Sequence, residues 1–574
     1  MNHDDNALVL TATAGGAEEQ EQDCKKRKSQ ASRLVDIGRI SKLFHTPDGV
    51  AYACLKINGH REIWATNSKA FRESLVRTYF LQTGSIPNSH AVRDAIATLD
   101  GLARFDGAEH EVHVRVAGDD RHIWLDLGNA NWEVVEITAA GWRVIANPPV
   151  RFRRAAGMLP LPPPEPGGSV SDLKAFLNIS DVNTWSLILS WCVSAMRPDG
   201  PYPILYLLGE QGSAKSTATR VIRDLIDPFR APLRAMPRDE RDLYIAANNS
   251  RVIAFDNVSR LEPWLSDALC RLATGGGFAT RTLYTDSDEV LFDTMRPIIM
   301  NGIEEAAVRG DFLERSIMVT LPTITDDARW DEASFWESFE LARPRILAAI
   351  LEGVSAALRR YRTMNLQYKP RMADFAIWGT AAETGLGFEP GTFEKAYRTN
   401  RQAANDVALE AMPISPYILQ LVESTGEWTG TAKELLAELN RVHGGAMPEK
   451  KPKGWPETPR KLSADMRRLA PNLRAVGIHY ALSNPGHQSR RTITLSKRGK
   501  TSPASPTSPT PSGSRTSAGD VVNDLSDGKT PTAPQTSPSE SVEITGSGDI
   551  GDVGDVSSVV SANGRTGVRI TGEL

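Results

Sequence analysis

The stretch Pro203-Ile-Leu-Tyr-Leu-Leu-Gly-Glu-Gln-Gly-Ser-Ala-Lys-Ser-Thr217 decides the fold. Ile204 to Leu208 form a short apolar run bounded by Pro203 and Gly209, as expected of a strand buried on both faces in a parallel sheet. Gly209-Glu-Gln-Gly-Ser-Ala-Lys215-Ser216 follows with the spacing G-x-x-x-x-A-K-S, one residue from the Walker A pattern. Gly209 and Gly212 permit a tight loop whose backbone N–H groups point at phosphate oxygens, and Lys215 brings a positive charge to the β- and γ-phosphates. Ser216 is then placed to ligate Mg²⁺. Gly209, Gln211, Gly212, Ser213, Ala214, Lys215, Ser216 and Thr217 are the residues expected to hold ATP. Ala214 stands where glycine is usual, and its methyl group is compatible with the loop if φ there is negative. A helix over Thr217–Ile226 completes the strand–loop–helix context that separates a phosphate loop from a mere Gly/Ser turn.

The strand Arg251-Val-Ile-Ala-Phe-Asp256-Asn257 carries one carboxylate at the C-terminal end of an apolar run, suited to Mg²⁺ beside the phosphate loop. Asn257 occupies the position where a general base is usual. An amide takes no proton at neutral pH but orients water, which leaves hydrolysis slow or its base elsewhere. A helix over Trp264–Thr274 stops at Gly275-Gly-Gly277, and a hairpin spans 279–292. Pro297-Ile-Ile-Met-Asn301 reads as another buried strand ending in a polar residue, and Asp311–Leu321 ends in a further one. Asn301 is a candidate for positioning water or sensing the γ-phosphate. Arg315 is a candidate for neutralising transition-state charge, in its own site or in a neighbouring subunit's.

This succession of Lys215, Asp256, the Gly-rich helix end with its hairpin, Asn301 and Arg315 resembles the AAA+ and superfamily 3 helicase ATPases. Over about residues 170 to 410 it looks most like the helicase portion of phage and plasmid primase-helicase proteins. The resemblance implies that Asn301 is sensor 1, that Arg315 is a finger between subunits of a homo-oligomeric ring, and that Arg281 or Tyr284 on the hairpin touches DNA. Ala214 and Asn257 depart from the family pattern.

The flanks give the domain plan. Residues 1–33 are polar and charged, as in a disordered arm, and 34–155 read as a small α+β module. Asp119, Asp120 and Asp126 sit in a turn setting there, too few and too scattered for a catalytic metal site. The Pro-rich run within 156–170 reads as a stiff linker, 171–326 as the α/β P-loop core, and 327–412 as a helical lid. Residues 413–497 have a winged-helix pattern. Arg460, Lys461, Arg467 and Arg468 lie on its recognition helix and Arg490 and Arg491 at its wing, a basic clustering that favours DNA over a protein partner. The Ser/Thr/Pro/Gly-rich stretch 498–574 is expected to be disordered.

Composition bounds the rest. A chain of 574 residues with 40% hydrophobic content supports several domains, and its net charge of −4 demands local basic patches for any DNA contact. Four scattered cysteines argue against a zinc ribbon or a disulfide framework and fit a reducing cytoplasm. No apolar run suggests a membrane span. Two functions compete: a DNA-translocating, helicase-like ATPase of a mobile element, working among replication proteins, and a nucleotide-gated DNA-binding switch or regulatory or anti-phage ATPase with slow or no hydrolysis. A small-molecule kinase would leave the winged helix and Arg315 without a role.

Overall fold

The computed structural model describes residues 28–276, 278–281, 289–292, 294–302, 309–444, 451–483 and 491–497. The chain begins with helix α1 (Gln30–Arg39), strands β1 (Lys42–His45), β2 (Ala51–Ile57) and β3 (His60–Ala65), helices α2 (Lys69–Thr83) and α3 (Ser89–Phe105), and the short β4 (Ala108–Glu109). Their sheet runs β3-β2-β1-β4, with β4 parallel to β1. Asn58 and Gly59, both at positive φ, make the tight β2–β3 turn that the Asn-Gly pair predicts. Ser68 caps α2 by accepting the Phe71 N–H, at the helix start expected from its sequence.

A second sheet is an antiparallel meander of β5 (Val116–Gly118), β6 (His122–Asp126), β7 (Val134–Thr138) and β8 (Gly141–Ile145). It departs from the expected plan, in which 34–155 form one module. Ile123, Leu125, Val135 and Ile137 join the same hydrophobic core as helix α4 (Val182–Ala195). They belong with the larger body downstream. Period-2 alternation states that one face of a strand is buried and is silent on which partner buries it.

The Pro-rich segment is likewise packed down. Leu161 is buried in that core, its N–H bonds the Leu127 carbonyl at 2.8 Å, and the Leu159 N–H bonds the Pro228 carbonyl at 2.9 Å. Beneath it lies a buried ion pair, Arg115 Nε to Asp227 at 2.9 Å, with both side chains fully enclosed. Arg115 also donates to the carbonyls of Asp126 and Leu159. Asp126 accepts from Arg154 and Asp119 accepts two backbone N–H groups, so both carboxylates are engaged in holding local structure.

The centre of the molecule is a parallel sheet built from β9 (Ile204–Leu208), β10 (Ile253–Val258), β13 (Ile298–Gly302) and β14 (Ser316–Thr320), in the order β10-β13-β9-β14. Between them in sequence lie α5 (Lys215–Asp224), α6 (Glu240–Asn249), α7 (Pro263–Thr274), the antiparallel hairpin β11 (Phe278–Arg281) with β12 (Glu289–Phe292), and the single turn α8 (Gly310–Leu313). Beyond β10, Arg234 adds one parallel bridge to Phe255, a fifth strand reduced to a single residue pair. All five residues of β9 are buried, and alternation divides them between two layers. Leu205 and Leu207 face the core shared with α4 and α5, whereas Ile204, Tyr206 and Leu208 face α6 and α7.

The region read as a lid consists of α9 (Glu332–Arg360), α10 (Ala373–Ala382) and α11 (Thr392–Glu410). Much of α9 and α10 packs into the core with α4 and the β5–β8 sheet. Ser355 Oγ donates to the Thr138 carbonyl and Arg359 Nε to that of Ala139, both at 2.7 Å. The last described part has helix α12 (Ser415–Thr425), β15 (Glu427–Thr431), α13 (Ala432–Gly444), α14 (Pro459–Ala475), β16 (Ile478–Ser483) and β17 (Thr492–Lys497). Its three strands pair antiparallel in the order β15-β17-β16, over a separate core that includes Leu435, Leu462 and Leu495. Asn472 of α14 donates to Asn405 of α11 at 2.9 Å and ties this part to the central body.

Candidate active site

The loop 209–214 leaves β9 at the C-terminal edge of the parallel sheet and enters α5. Gly209 has φ +146°, and a Cβ there would come within 2.6 Å of the Leu321 carbonyl oxygen and 2.7 Å of Ser213 Oγ. Only glycine fits. Gly212 also has positive φ. The expectation of negative φ at Ala214 is corrected: φ is +58° and ψ +31°, the left-handed region. For an L-residue this costs about 1 kcal/mol. It explains why glycine is usual at that place, and the turn of α5 holds the alanine in the strained conformation.

Ala214 is also the N-cap of α5 and offers no side-chain cap. Among the described residues the N–H groups of Lys215, Ser216 and Thr217 find no acceptor, and such unpaired donors at a helix start favour an anion. Lys215 Nζ folds back on the loop, donating to the carbonyls of Gly209 and Glu210 at 2.7 Å each.

The neighbouring strands bring the remaining polar groups to this edge. Ser216 Oγ donates to Asp256 Oδ1 at 2.6 Å, and Asn301 Nδ2 donates to the same oxygen at 2.8 Å and to Thr219 Oγ1 at 3.0 Å. Asn301 Oδ1 accepts the Asn257 N–H at 3.0 Å. Asn301 is buried and thus fixes Asp256, α5 and the start of the next turn together. Asn257 has φ +54° and its side chain is exposed. A hydroxyl and a carboxylate that meet at hydrogen-bond distance, beside free helix N–H donors and a lysine, fit a hard divalent cation with a bound triphosphate.

Arg315 lies at the opposite edge. It immediately precedes β14, whose first residue Ser316 pairs with Ile204 at the start of β9, whereas the loop follows the end of β9. The five residues of β9 separate the two edges by roughly 16 Å at the usual rise of a strand. An arginine side chain does not span that distance. Its guanidinium is instead ion-paired with Asp311 of the same chain, in a cluster where Arg371 bonds Glu314 at 2.7 Å.

A cavity of about 680 Å³ adjoins the loop at Gly212, Ala214, Ser216 and Thr217. Its far walls come from Lys174 to Asn178 and from Ile324 to Trp336, and include Phe176, Arg329, Trp330, Phe335 and Trp336. Arg220 of α5 stacks its guanidinium 3.8 Å from the centre of the Trp336 ring. The sequence reading missed this pocket. Its one signal in the sequence is the pair of tryptophans at 330 and 336, within the stretch expected to be helical.

The proposed DNA contacts divide in three. Arg281 ends β11, and Tyr284 and Arg490 lie outside the described residues. On α14, Lys461 and Arg468 both bond the buried Asp465, at 2.9 and 2.7 Å, which engages these two cations within the helix. Arg460 and Arg467 are exposed, as is Arg474, and this heptad spacing puts the three on one face. Arg474 was overlooked in the sequence because its neighbours are apolar. Arg491 is exposed just ahead of β17.

Residues 170–406 match the family model of the actinomycete integrative conjugative element replication protein, and residues 414–512 match that of the AICE RepA C-terminal domain. By these two matches the chain is similar to replication proteins of integrative conjugative elements. No curated protein matches it. Among solved structures, an apo structure of the NrS-1 C-terminal region is 11% identical and covers 82% of this chain and 100% of its own, with a TM-score of 0.37. A further structure of that region is 12% identical, covers 80% and 98%, and has a TM-score of 0.32. Scores this low carry no argument about this chain. No described helix is long and apolar enough to cross a membrane.

Proposed function

We propose that the protein is an ATP-dependent DNA translocase or helicase acting in replication of a mobile element. The observation that carries this reading is the convergence of Lys215, Ser216, Asp256 and Asn301 at one edge of a parallel sheet, around unpaired N–H donors at the start of α5. The strand order supports it: the loop strand β9 lies beside β13, which carries Asn301, and β13 lies beside β10, which carries Asp256. In this reading the loop and Lys215 hold the phosphates of ATP, Ser216 and Asp256 hold Mg²⁺, and the Trp330–Trp336 pocket takes the base. Mg²⁺ supplies charge neutralisation at the phosphates when bound. Asn301 keeps Asp256 oriented and so sets where the cation sits.

Arg315, which cannot reach its own site, serves the site of a neighbouring subunit in a ring. The part built from α12 to β17 acts as a winged helix, with Arg460, Arg467 and Arg474 on the helix that meets DNA phosphates. A second reading, a nucleotide-gated DNA-binding switch, is favoured by Asn257. Its exposed amide stands where a base is usual, and an amide cannot accept the proton of attacking water. The test is MgATP binding followed by quenching of tryptophan fluorescence, together with turnover in the presence and absence of single-stranded DNA. Binding lost in Lys215→Ala supports the site. Turnover raised by DNA supports the motor, and binding without turnover leaves the switch.

A further inference from the structure

A second cavity, of about 1140 Å³, opens between the first sheet and the N-terminal edge of the parallel sheet, far from the loop at 209–216. Its walls are drawn from the β1–β2 turn and β3, from 111–116, from 153–155, from the end of α6 and from 294–296 at the foot of the β11–β12 hairpin. Three guanidiniums converge there without an ion-pair partner among the described residues. Arg153 donates to the Asn248 carbonyl and side chain, and Arg296 Nε to the carbonyls of Ala247 and Ser250. Arg251 is held by the carbonyls of Ala195 and Pro198 and by the Tyr202 hydroxyl.

Neutral acceptors orient these cations, and among the described residues no carboxylate comes to ion-pair distance of them, although Asp48 acts on Arg153 and the buried Asp227 on Arg296 from farther off. Burial, with repulsion from Arg251 and Arg153, brings the Arg296 guanidinium down to about 9. Burial likewise lowers His113, against Glu111 and Asp199, which act to raise it, and with Arg251 and Arg296, which act to lower it. The carboxylates on the lining, Asp48, Glu111 and Asp199, are all exposed, where water screens them. Arg154, also on the lining, is cancelled by Asp126.

We propose that this cleft binds the phosphodiester backbone of one single-stranded DNA segment and delivers it to the foot of the β11–β12 hairpin. Three cations in one cavity, Arg251 buried and Arg153 and Arg296 half-buried, with no carboxylate at ion-pair distance among the described residues, call for an anion. The volume exceeds the roughly 300–1,000 Å³ of small-molecule sites, which suits a short run of polymer. A duplex, which carries its phosphates on the outside of a wide, stiff rod, does not enter a cavity of this size. Trp64 and Tyr52 on the lining add aromatic surface beside the cations, the combination that holds single strands. The proposal rests on the reading of the chain as a DNA-acting protein and is independent of the nucleotide site.

The experiment measures anisotropy of fluorescein-labelled oligo-dT with the full chain, free of nucleotide, across a series of NaCl concentrations. Arg153→Gln with Arg296→Gln should reduce the slope of log affinity against log salt by about 1.4, the share of two phosphate contacts on a single strand. Arg153→Lys with Arg296→Lys should restore it. Ala155→Glu, which alters none of the arginines, should weaken binding by placing a negative charge on the lining. The titration contains no nucleotide, so failure of the nucleotide site registers separately, in the MgATP binding measurement. An unchanged slope in a Gln pair that retains the wild-type melting temperature overturns the proposal. Should the Gln pair not fold, undiminished binding by Ala155→Glu overturns it equally.

Discussion

The proposed action of Arg315 on a neighbouring subunit's nucleotide is tested by complementation between two inactive variants. Lys215→Ala removes the phosphate-binding charge from a subunit but leaves its Arg315 intact, and Arg315→Ala does the reverse. The rise along β9 puts roughly 16 Å between the edge carrying Arg315 and the edge carrying the loop. Loss of an arginine acting in trans costs about 10³–10⁵ in turnover, so each variant alone should be nearly inactive. In rings co-expressed from equal amounts of both, half the subunits have an intact loop, and half of those face an intact Arg315. About one quarter of interfaces are then productive, and a phosphate-release assay with single-stranded DNA should recover up to about that fraction of wild-type turnover. Mixed rings as inactive as their parents would refute action in trans. So would substantial activity in Arg315→Ala alone.

Other consequences follow from the same geometry. Arg115→Ala strands Asp227 as an unpaired buried charge and should destabilise the protein by about 3–5 kcal/mol in urea unfolding, whereas Arg143→Ala, at an exposed ion pair, should cost under about 1 kcal/mol. Burial pushes the Cys192 thiol up to about 12 and the Cys270 thiol up to about 11. Only the thiolate reacts, and at pH 8 its fraction is about one in ten thousand and one in a thousand respectively. Both cysteines should therefore resist iodoacetamide in the folded protein and alkylate after denaturation, as mass spectrometry of peptides would show. Alanine at Arg460, Arg467 and Arg474 together should lower the salt slope of duplex DNA binding by about 3, while alanine at Lys461 and Arg468, already engaged by Asp465, should lower it less.

The strands β9, β10 and β13 were legible in the sequence because each is a short apolar run, bounded by Pro203 and Gly209 in β9 and reaching Asp256 and Asn301 in β10 and β13. The phosphate-loop spacing marks Lys215 and Ser216 and the strand ends mark Asp256 and Asn301, and of these Ser216, Asp256 and Asn301 meet within hydrogen-bond distance. The conformation of Ala214 was not legible, since the closure of the loop against α5, and not the residue type, sets φ there. The partner of the β5–β8 sheet was not legible either, because alternation records burial without naming the covering surface. The pocket beside the loop escaped notice for a related reason. Its walls come from three stretches, near 176, 220 and 330, whose juxtaposition only the fold supplies. Pairing of Lys461 and Arg468 with Asp465 follows helix spacing and could have been read from the sequence. The reach of Arg315 could not, because it depends on the register of β14 against β9.

The most direct test of the account is the rate of ATP hydrolysis by the purified chain with Mg²⁺, measured with and without single-stranded DNA, beside Lys215→Ala. The account predicts turnover that DNA stimulates and that Lys215→Ala abolishes. Turnover indifferent to DNA, or unaffected by loss of Lys215, would contradict it.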